Sequence, residues 1–195
     1  MRIFFATVLI LIFSLQSLTK ADDISEFEIE GFSLGVSLLE YFSRDKIENN
    51  TDNDSYAYTD QKYVQVNIYD GNFGDYEVMQ FTVKRNDKKY ILHSIAGGIF
   101  YSDFEKCLKK QKKISNDVLQ LFKHADKILN DKGVMPGDNT GKSYAISDVY
   151  FIDGGSMSVR CFNWSNKMEK EKNYADNLRV GIRTDEFNNW GLKFQ

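Results

Sequence analysis

The two cysteines of the chain, Cys107 and Cys161, limit its fold more than any other feature of the sequence. Cys107 lies in SDFEKCLKKQKKISNDVLQLF, where apolar residues recur at spacings of three and four, the pattern of an amphipathic α-helix. The pattern predicts a helix that begins with a capping Ser102 or Asp103 and continues to Leu129. Cys107 falls on its buried stripe. The surrounding lysines predict a solvated surface, with a binding surface for anionic lipid or polysaccharide as the alternative.

Cys161 lies in a second recognisable unit, SYAISDVYFIDGGSMSVRCFNW. This stretch predicts two antiparallel strands joined at an Asp-Gly-Gly turn, because glycine tolerates the positive φ that tight hairpin turns require. Side chains alternate along a strand, so Met157, Val159 and Cys161 share one face, and that face is apolar. Both cysteines are therefore predicted to face the core, one from a helix and one from a strand.

The N-terminal stretch MRIFFATVLILIFSLQSLTKA predicts export of the chain. Arg2 precedes an apolar run that ends at Leu15, and small residues precede a cleavage site after Ala21, the organisation of a secretory signal peptide. The apolar run is too short to span a bilayer, and no cysteine near the cleavage site offers a lipid anchor. Residues 1–21 are therefore a predicted signal peptide, and residues 22–195 are predicted to form one periplasmic or extracellular domain that does not span the membrane.

Thiols oxidise in such a compartment, and the sequence therefore predicts a disulfide between Cys107 and Cys161 that fastens the long helix to the sheet. Two unpaired buried thiols are the alternative. A catalytic thiol is not favoured, since neither cysteine has the CxxC spacing and each has apolar neighbours.

The rest of the chain predicts an α+β fold. Three runs, KYVQVNIYD, YEVMQFTVKR and KKYILHSIAG, are rich in β-branched and aromatic residues and predict an antiparallel meander. A strand FEIEG and a helix from Ser33 or Ser37 to Ile47 precede them, and a polar connector NKMEKEKNYA, a strand DNLRVGIRT and a short helix DEFNNWGL close the chain. We expect an antiparallel sheet with two main helices packed on one face, in a single disulfide-linked domain.

The charge of the chain excludes one class of partner. Without Arg2 and Lys20 of the signal peptide, the chain has 23 basic and 28 acidic residues, a net charge of −5. A negative domain of this kind is not expected to bind nucleic acid. The sequence also contains no motif that predicts a cofactor.

Three arginines offer the best candidate for a binding site. If the strand of Arg160 pairs with the strand of Arg179 and Arg183, all three guanidinium groups project from the outer face of the sheet, on the same alternation as Phe162 and Trp164. Arginines beside aromatic rings bind carboxylates, phosphates or sulfates through paired hydrogen bonds. The alternative is that these arginines serve only solubility.

Candidates for catalysis and for metal binding are weaker. The histidines are His93, in a predicted strand, and His124, on the long helix, and no serine or cysteine lies in a nucleophile motif. Asp52, Asp54 and Asp60 lie close enough in sequence to attract calcium, but the glycine and the terminal glutamate of an EF-hand loop are absent. We therefore predict no catalytic residues and no metal site.

One segment carries a resemblance. FEIEGFSLGVSLLEYFSRDKI, together with the signal peptide and the Asp-Gly-Gly hairpin that ends in Cys and Trp, resembles small secreted proteins of marine alphaproteobacteria that have no assigned activity. A weaker similarity is to periplasmic helix-plus-sheet adaptor domains, such as those of outer-membrane assembly lipoproteins and the β-lactamase-inhibitor fold. This chain departs from the lipoprotein members, because it has no cysteine for lipid attachment. Neither resemblance supplies catalytic residues.

These features together predict a non-enzymatic binding or adaptor module of the periplasm or the cell exterior. An envelope protein or an anionic ligand is the expected partner. The alternative is an envelope hydrolase, for which His93 with a nearby aspartate is the available base.

Overall fold

The computed structural model describes residues 23–123, 125–135 and 137–194, so the predicted signal peptide and His124 lie outside the described residues. The strands are β1 (Glu28–Ile29), β2 (Phe32–Ser33), β3 (Thr51–Asp52), β4 (Tyr63–Ile68), β5 (Val78–Lys84), β6 (Ser94–Phe100), β7 (Asp126–Val134), β8 (Tyr144–Ile152), β9 (Gly155–Asn163) and β10 (Asn177–Thr184). The α-helices are α1 (Arg44–Asn49), α2 (Phe104–Leu121), α3 (Asn166–Lys172) and α4 (Asp185–Gly191).

Eight of the strands form one antiparallel sheet in the order β3-β4-β5-β6-β10-β9-β8-β7. The last strand, β10, lies between β6 and β9 and therefore joins the two meanders, β3–β6 and β7–β9, into a continuous sheet. The predicted α+β fold with an antiparallel sheet is confirmed.

The predicted disulfide is also confirmed. Cys107 on α2 is bonded to Cys161 on β9, with their Cα atoms 6.0 Å apart, and both side chains are fully buried. The side chain of Asp103 accepts a hydrogen bond from the Glu105 N–H and caps the start of α2. Farther along the helix, the buried Gln111 amide donates to the carbonyl oxygen of Val159, so α2 is held to β9 at two levels.

The predicted extension of α2 to Leu129 is wrong. The helix ends at Leu121, and the chain then forms the edge strand β7, which pairs with β8 along its length. Ile128 and Leu129 are compatible with a helix or a strand. The backbone hydrogen bonds with β8 stabilise the strand. A bulge between Ile128 and Asp131 interrupts β7, where Asn130 has a φ of 54°.

The predicted helix between Ser33 or Ser37 and Ile47 is not continuous. The segment forms β2, a 3₁₀ turn at Leu38–Glu40 and the short helix α1. Gly35 has a φ of 78°, which a continuous helix does not allow. The Ser37 side chain accepts a hydrogen bond from the Leu39 N–H, so it caps the start of the 3₁₀ turn. The fully buried Leu38 and Ile47 pack into the core beneath β4, β5 and β6.

The core lies on one face of the sheet, which we call the inner face. Ile182 of β10 packs with the core around α1, and Val180 of the same strand packs with the core around Cys107 of α2. Because residues two apart on a strand share a face, the two cores meet β10 on the same side of the sheet. No helix in the described ranges is long and apolar enough to cross a membrane.

The final helix, α4, packs on the opposite face. Tyr63 alternates along β4 with Val64 of the inner core, and its ring instead contacts Phe187 (5.0 Å between centroids) and Trp190 (4.8 Å) of α4. The helix predicted over DEFNNWGL is thus present, whereas the polar connector before β10 was predicted without the helix α3 that it contains. The outer face is consequently covered at one end by α4.

Candidate functional site: an arginine face

The pairing of β9 with β10 brings the three predicted arginines together. Arg160 lies directly opposite Arg179 in the register, and Arg183 lies opposite Ser156, four residues from Arg160 on β9. All three alternate with the inner-face residues of their strands, so they project from the outer face. We call the surface around Arg160, Arg179 and Arg183 the arginine face. The side chains are partly buried, a difference from the fully exposed positions that the sequence predicts.

Two of the arginines are held by neighbouring side chains. The Nε atom of Arg179 donates to the Asn177 side-chain oxygen at 3.0 Å, and its guanidinium lies over the Phe162 ring at 4.7 Å. The guanidinium of Arg183 lies over the Phe187 ring at 5.8 Å. Cation–π contacts of this kind orient a guanidinium without neutralising it, so both groups keep their charge available for an anion.

Arg160 has no such support. Its Nε atom is buried and makes no hydrogen bond to a described residue. The positive charge of Arg183, followed by burial and by the charge of Arg179, lowers the pKa of Arg160 to about 9, and Asp131 opposes this shift. Within the described residues, no carboxylate oxygen lies within 4.0 Å of the three guanidinium groups. The site therefore holds several positive charges close together without an anionic partner, which is electrostatically costly.

Tyrosines surround the arginines. Burial lowers the pKa of Arg179 and of Arg183, while neighbouring tyrosines oppose the shift: Tyr56 acts on both arginines, and Tyr58 acts on Arg183. Tyr69 and Tyr174 raise the pKa of Arg179 in the same way, as expected of phenol groups close to a guanidinium. Four tyrosines therefore lie around the arginines: Tyr56, Tyr58, Tyr69 and Tyr174. The rings of Tyr58 and Tyr69 are 60% and 59% exposed, so aromatic surface is available beside the charges.

Trp164 lies at the end of the arginine face. Its ring is stacked on Phe162 at 5.9 Å and contacts Tyr174 at 4.6 Å. Because Phe162 is the ring beneath Arg179, Trp164 is connected to the arginines through Phe162. Trp164 therefore stabilises the aromatic support of Arg179, and a role in direct ligand contact stays a prediction.

The polar side of the arginine face was not predicted from the sequence. Gln65 and Asn67 on β4 and Gln80 on β5 project from the outer face, and both glutamine Nε2 atoms donate to the Asn67 Oδ1 atom, at 2.6 and 3.0 Å. The alternation in YVQVNI and in VMQFTVK shows that these amides point away from the core. Their closeness to the arginines depends on the position of β10, which this alternation does not contain.

A second polar site surrounds His93. An open depression of about 700 Å³ reaches His93, Lys62 and Lys84. One Glu186 oxygen accepts from Lys62 (2.8 Å) and lies 2.9 Å from Lys84, and its other oxygen is 3.6 Å from His93 Nδ1. Burial lowers the pKa of His93, an effect that Glu186 opposes. The lowered pKa favours the neutral imidazole, a form that can accept a proton.

The cluster of Glu186 with Lys62, Lys84 and His93 should make the free energy of unfolding depend on pH. Hydrogen bonds from Lys62 and Lys84 lower the pKa of Glu186 to about 2 from an ordinary 4.5, so its stabilising effect is complete above pH 4.5 and is lost as the pH falls towards 2. We expect Glu186→Gln to lower the free energy of unfolding at pH 6 by about 1 kcal/mol or less, since the pairs are exposed. Urea titrations should show this difference shrinking between about pH 4.5 and 2. The exposed Asp54→Asn is the control, and a difference that persists at pH 2 would contradict the assignment.

The aspartates considered for calcium have other contacts. Asp60 Oδ1 accepts hydrogen bonds from Trp190 Nε1 (2.7 Å) and from the Lys62 N–H (3.0 Å), and Asp52 Oδ1 accepts from the Asp54 N–H. Among the described residues, no group of three or more His, Cys, Asp or Glu side chains is arranged to hold a metal ion.

Comparisons with protein-family models, with curated proteins and with solved structures found no match for this chain.

Proposed function

We propose that the protein is a non-enzymatic binding module of the periplasm or the cell exterior, and that it holds an anionic ligand on the arginine face. The observation that carries this proposal is Arg160, whose buried Nε atom lacks a partner while Arg179 and Arg183 add like charge beside it. A bound anion would accept hydrogen bonds from these groups and offset their repulsion. The disulfide supports an oxidising compartment.

The test is a pair of substitutions that each remove one positive charge. We expect wild-type protein to bind inorganic pyrophosphate, as measured by isothermal titration calorimetry, and Arg160→Gln/Arg183→Gln to bind it at least about tenfold more weakly, because two charge-assisted hydrogen-bond partners are lost. The substitutions remove like charges that repel each other, so the variant should unfold at the same or a higher urea concentration than wild type.

The matched control is Lys109→Gln/Lys112→Gln, which removes the same charge from exposed positions on α2. This variant should bind pyrophosphate like wild type. Equal binding by the wild type and the arginine variant would contradict the proposal, and an arginine variant that fails to fold would show that the guanidinium groups are structural partners.

The hydrolase alternative has one supporting observation, the depression that reaches His93. The Thr184 hydroxyl lies 3.5 Å from His93 Nδ1, and it already accepts a hydrogen bond from the Phe187 N–H at the start of α4. A hydroxyl engaged in this way is poorly placed to act as a nucleophile. We therefore favour binding; a hydrolase that uses His93 as its base would lose activity in His93→Gln.

A further inference from the structure

The outer face continues from the arginines into a flat strip. Gly181 lies between Arg179 and Arg183 on β10 and is registered with Ala96 on β6, which is registered with Gln80 on β5. Gly181 and Ala96 carry no side chain beyond Cβ; Gly181 is buried, whereas Ala96 and Gln80 are partly exposed. Strands are spaced by about 4.8 Å, so β10 and β5, two strands apart, are separated by about 10 Å.

The far end of this strip has free hydrogen-bonding groups of both kinds. Gln65 and Gln80 both donate to the Asn67 Oδ1 atom. Among the described residues, the Asn67 Nδ2 donor and the Oε1 acceptors of the two glutamines have no further partner. Neighbouring donors and acceptors match hydroxyl groups, because each hydroxyl both donates and accepts.

Exposed aromatic rings lie on the same side. Tyr69 follows β4 on the same alternation as Asn67, and Tyr58 lies in the segment that also carries Tyr56, whose hydroxyl is 3.2 Å from Thr82 on β5. A tyrosine ring presents an apolar surface and a polar edge, which suits the C–H face and the hydroxyl rim of a sugar ring.

We infer that the ligand of the arginine face is an acidic oligosaccharide. Its carboxylate or sulfate group binds Arg160 and Arg183, and its neighbouring sugar ring passes over the partly exposed Ala96 to place hydroxyl groups on Asn67 and Gln80. The negative charge of the chain repels a long polyanion, so it disfavours a nucleic acid and favours an oligosaccharide with few acid groups. An extended peptide would instead need a strand edge for its backbone hydrogen bonds. This inference rests on the proposed anion site. It adds a second half to the binding site, the amide end, which consists of Gln65, Asn67 and Gln80.

The experiment separates the two halves. By titration calorimetry, wild type should bind a uronic-acid oligosaccharide or a sulfated oligosaccharide at least about tenfold more tightly than pyrophosphate, because the amide end adds hydrogen bonds. The two sugars reveal which acid group is preferred. Asn67→Ala/Gln80→Ala should lose this gain and bind pyrophosphate unchanged, whereas Arg160→Gln/Arg183→Gln should weaken binding of every acidic probe.

The control for the amide variant is Asn116→Ala/Gln120→Ala on the exposed surface of α2, which should behave like wild type. Oligosaccharide binding no tighter than pyrophosphate binding, or tighter binding of poly-glutamate or single-stranded DNA, would overturn the inference and leave the anion site intact. If wild type does not bind pyrophosphate, the anion site itself is overturned. If the amide variant fails to fold, Tyr58→Ala/Tyr69→Ala replaces it, and unchanged sugar affinity in that variant would overturn the inference.

Discussion

Loss of the Cys107–Cys161 disulfide should lower the free energy of unfolding by about 4 kcal/mol. The bond joins residues 54 positions apart, and the chain-entropy argument gives this magnitude for a loop of that length in the unfolded chain. Small domains are stable by only about 5–15 kcal/mol, so the loss is a large part of the total. Cys107→Ala/Cys161→Ala avoids burying a new polar group, and urea denaturation provides the measurement.

Reduction supplies the control for this prediction. Dithiothreitol should lower the urea midpoint of wild type towards that of the double alanine variant and should leave the variant unchanged. A wild-type midpoint that does not respond to full reduction would contradict the predicted contribution. Since Cys161 is adjacent to Arg160 on β9, we also expect reduction to weaken pyrophosphate binding, because the strand that positions Arg160 loses its covalent connection to α2.

Asp148→Ala should destabilise the protein by about 3 kcal/mol, because it removes a buried acceptor shared by several donors. The Ser115 hydroxyl on α2 donates to its carboxylate, as does the Gln111 amide at 3.4 Å. The Asn130 backbone N–H in the β7 bulge donates to it at 2.8 Å. Each donor left without this partner costs about 1–3 kcal/mol when buried, and Gln111 keeps its bonds to backbone carbonyls.

Hydrogen exchange localises the effect of Asp148→Ala. Because Asp148 connects β8 to α2 and to β7, the amides of the edge strand β7 should lose protection first. Asp126→Ala, at an exposed position of β7, should change the urea midpoint little. An Asp148→Ala variant with wild-type stability would show that water replaces the carboxylate without cost.

Elements with a strong local pattern were predictable. The alternation around Cys161 and the helical stripe around Cys107 each place a cysteine towards the core, and the disulfide follows once the compartment is inferred. The same alternation places Arg160, Arg179 and Arg183 on one face of adjacent strands. In these cases, the periodicity of side chains along a strand or helix is a local property, and the sequence contains it directly.

Other features depend on partners that are distant in the chain. Ile128 and Leu129 are compatible with a helix or an edge strand, and only the hydrogen bonds of β8 select the strand. The insertion of β10 between β6 and β9 is likewise decided by tertiary pairing. That insertion brings Gln80 within two strands of Arg179, so the composition of the candidate site was decided by the sheet order. In the strands that it predicted, the sequence by itself determined which face each side chain occupies, and the tertiary structure decided its neighbours, because strand pairing is set by non-local packing and hydrogen bonds.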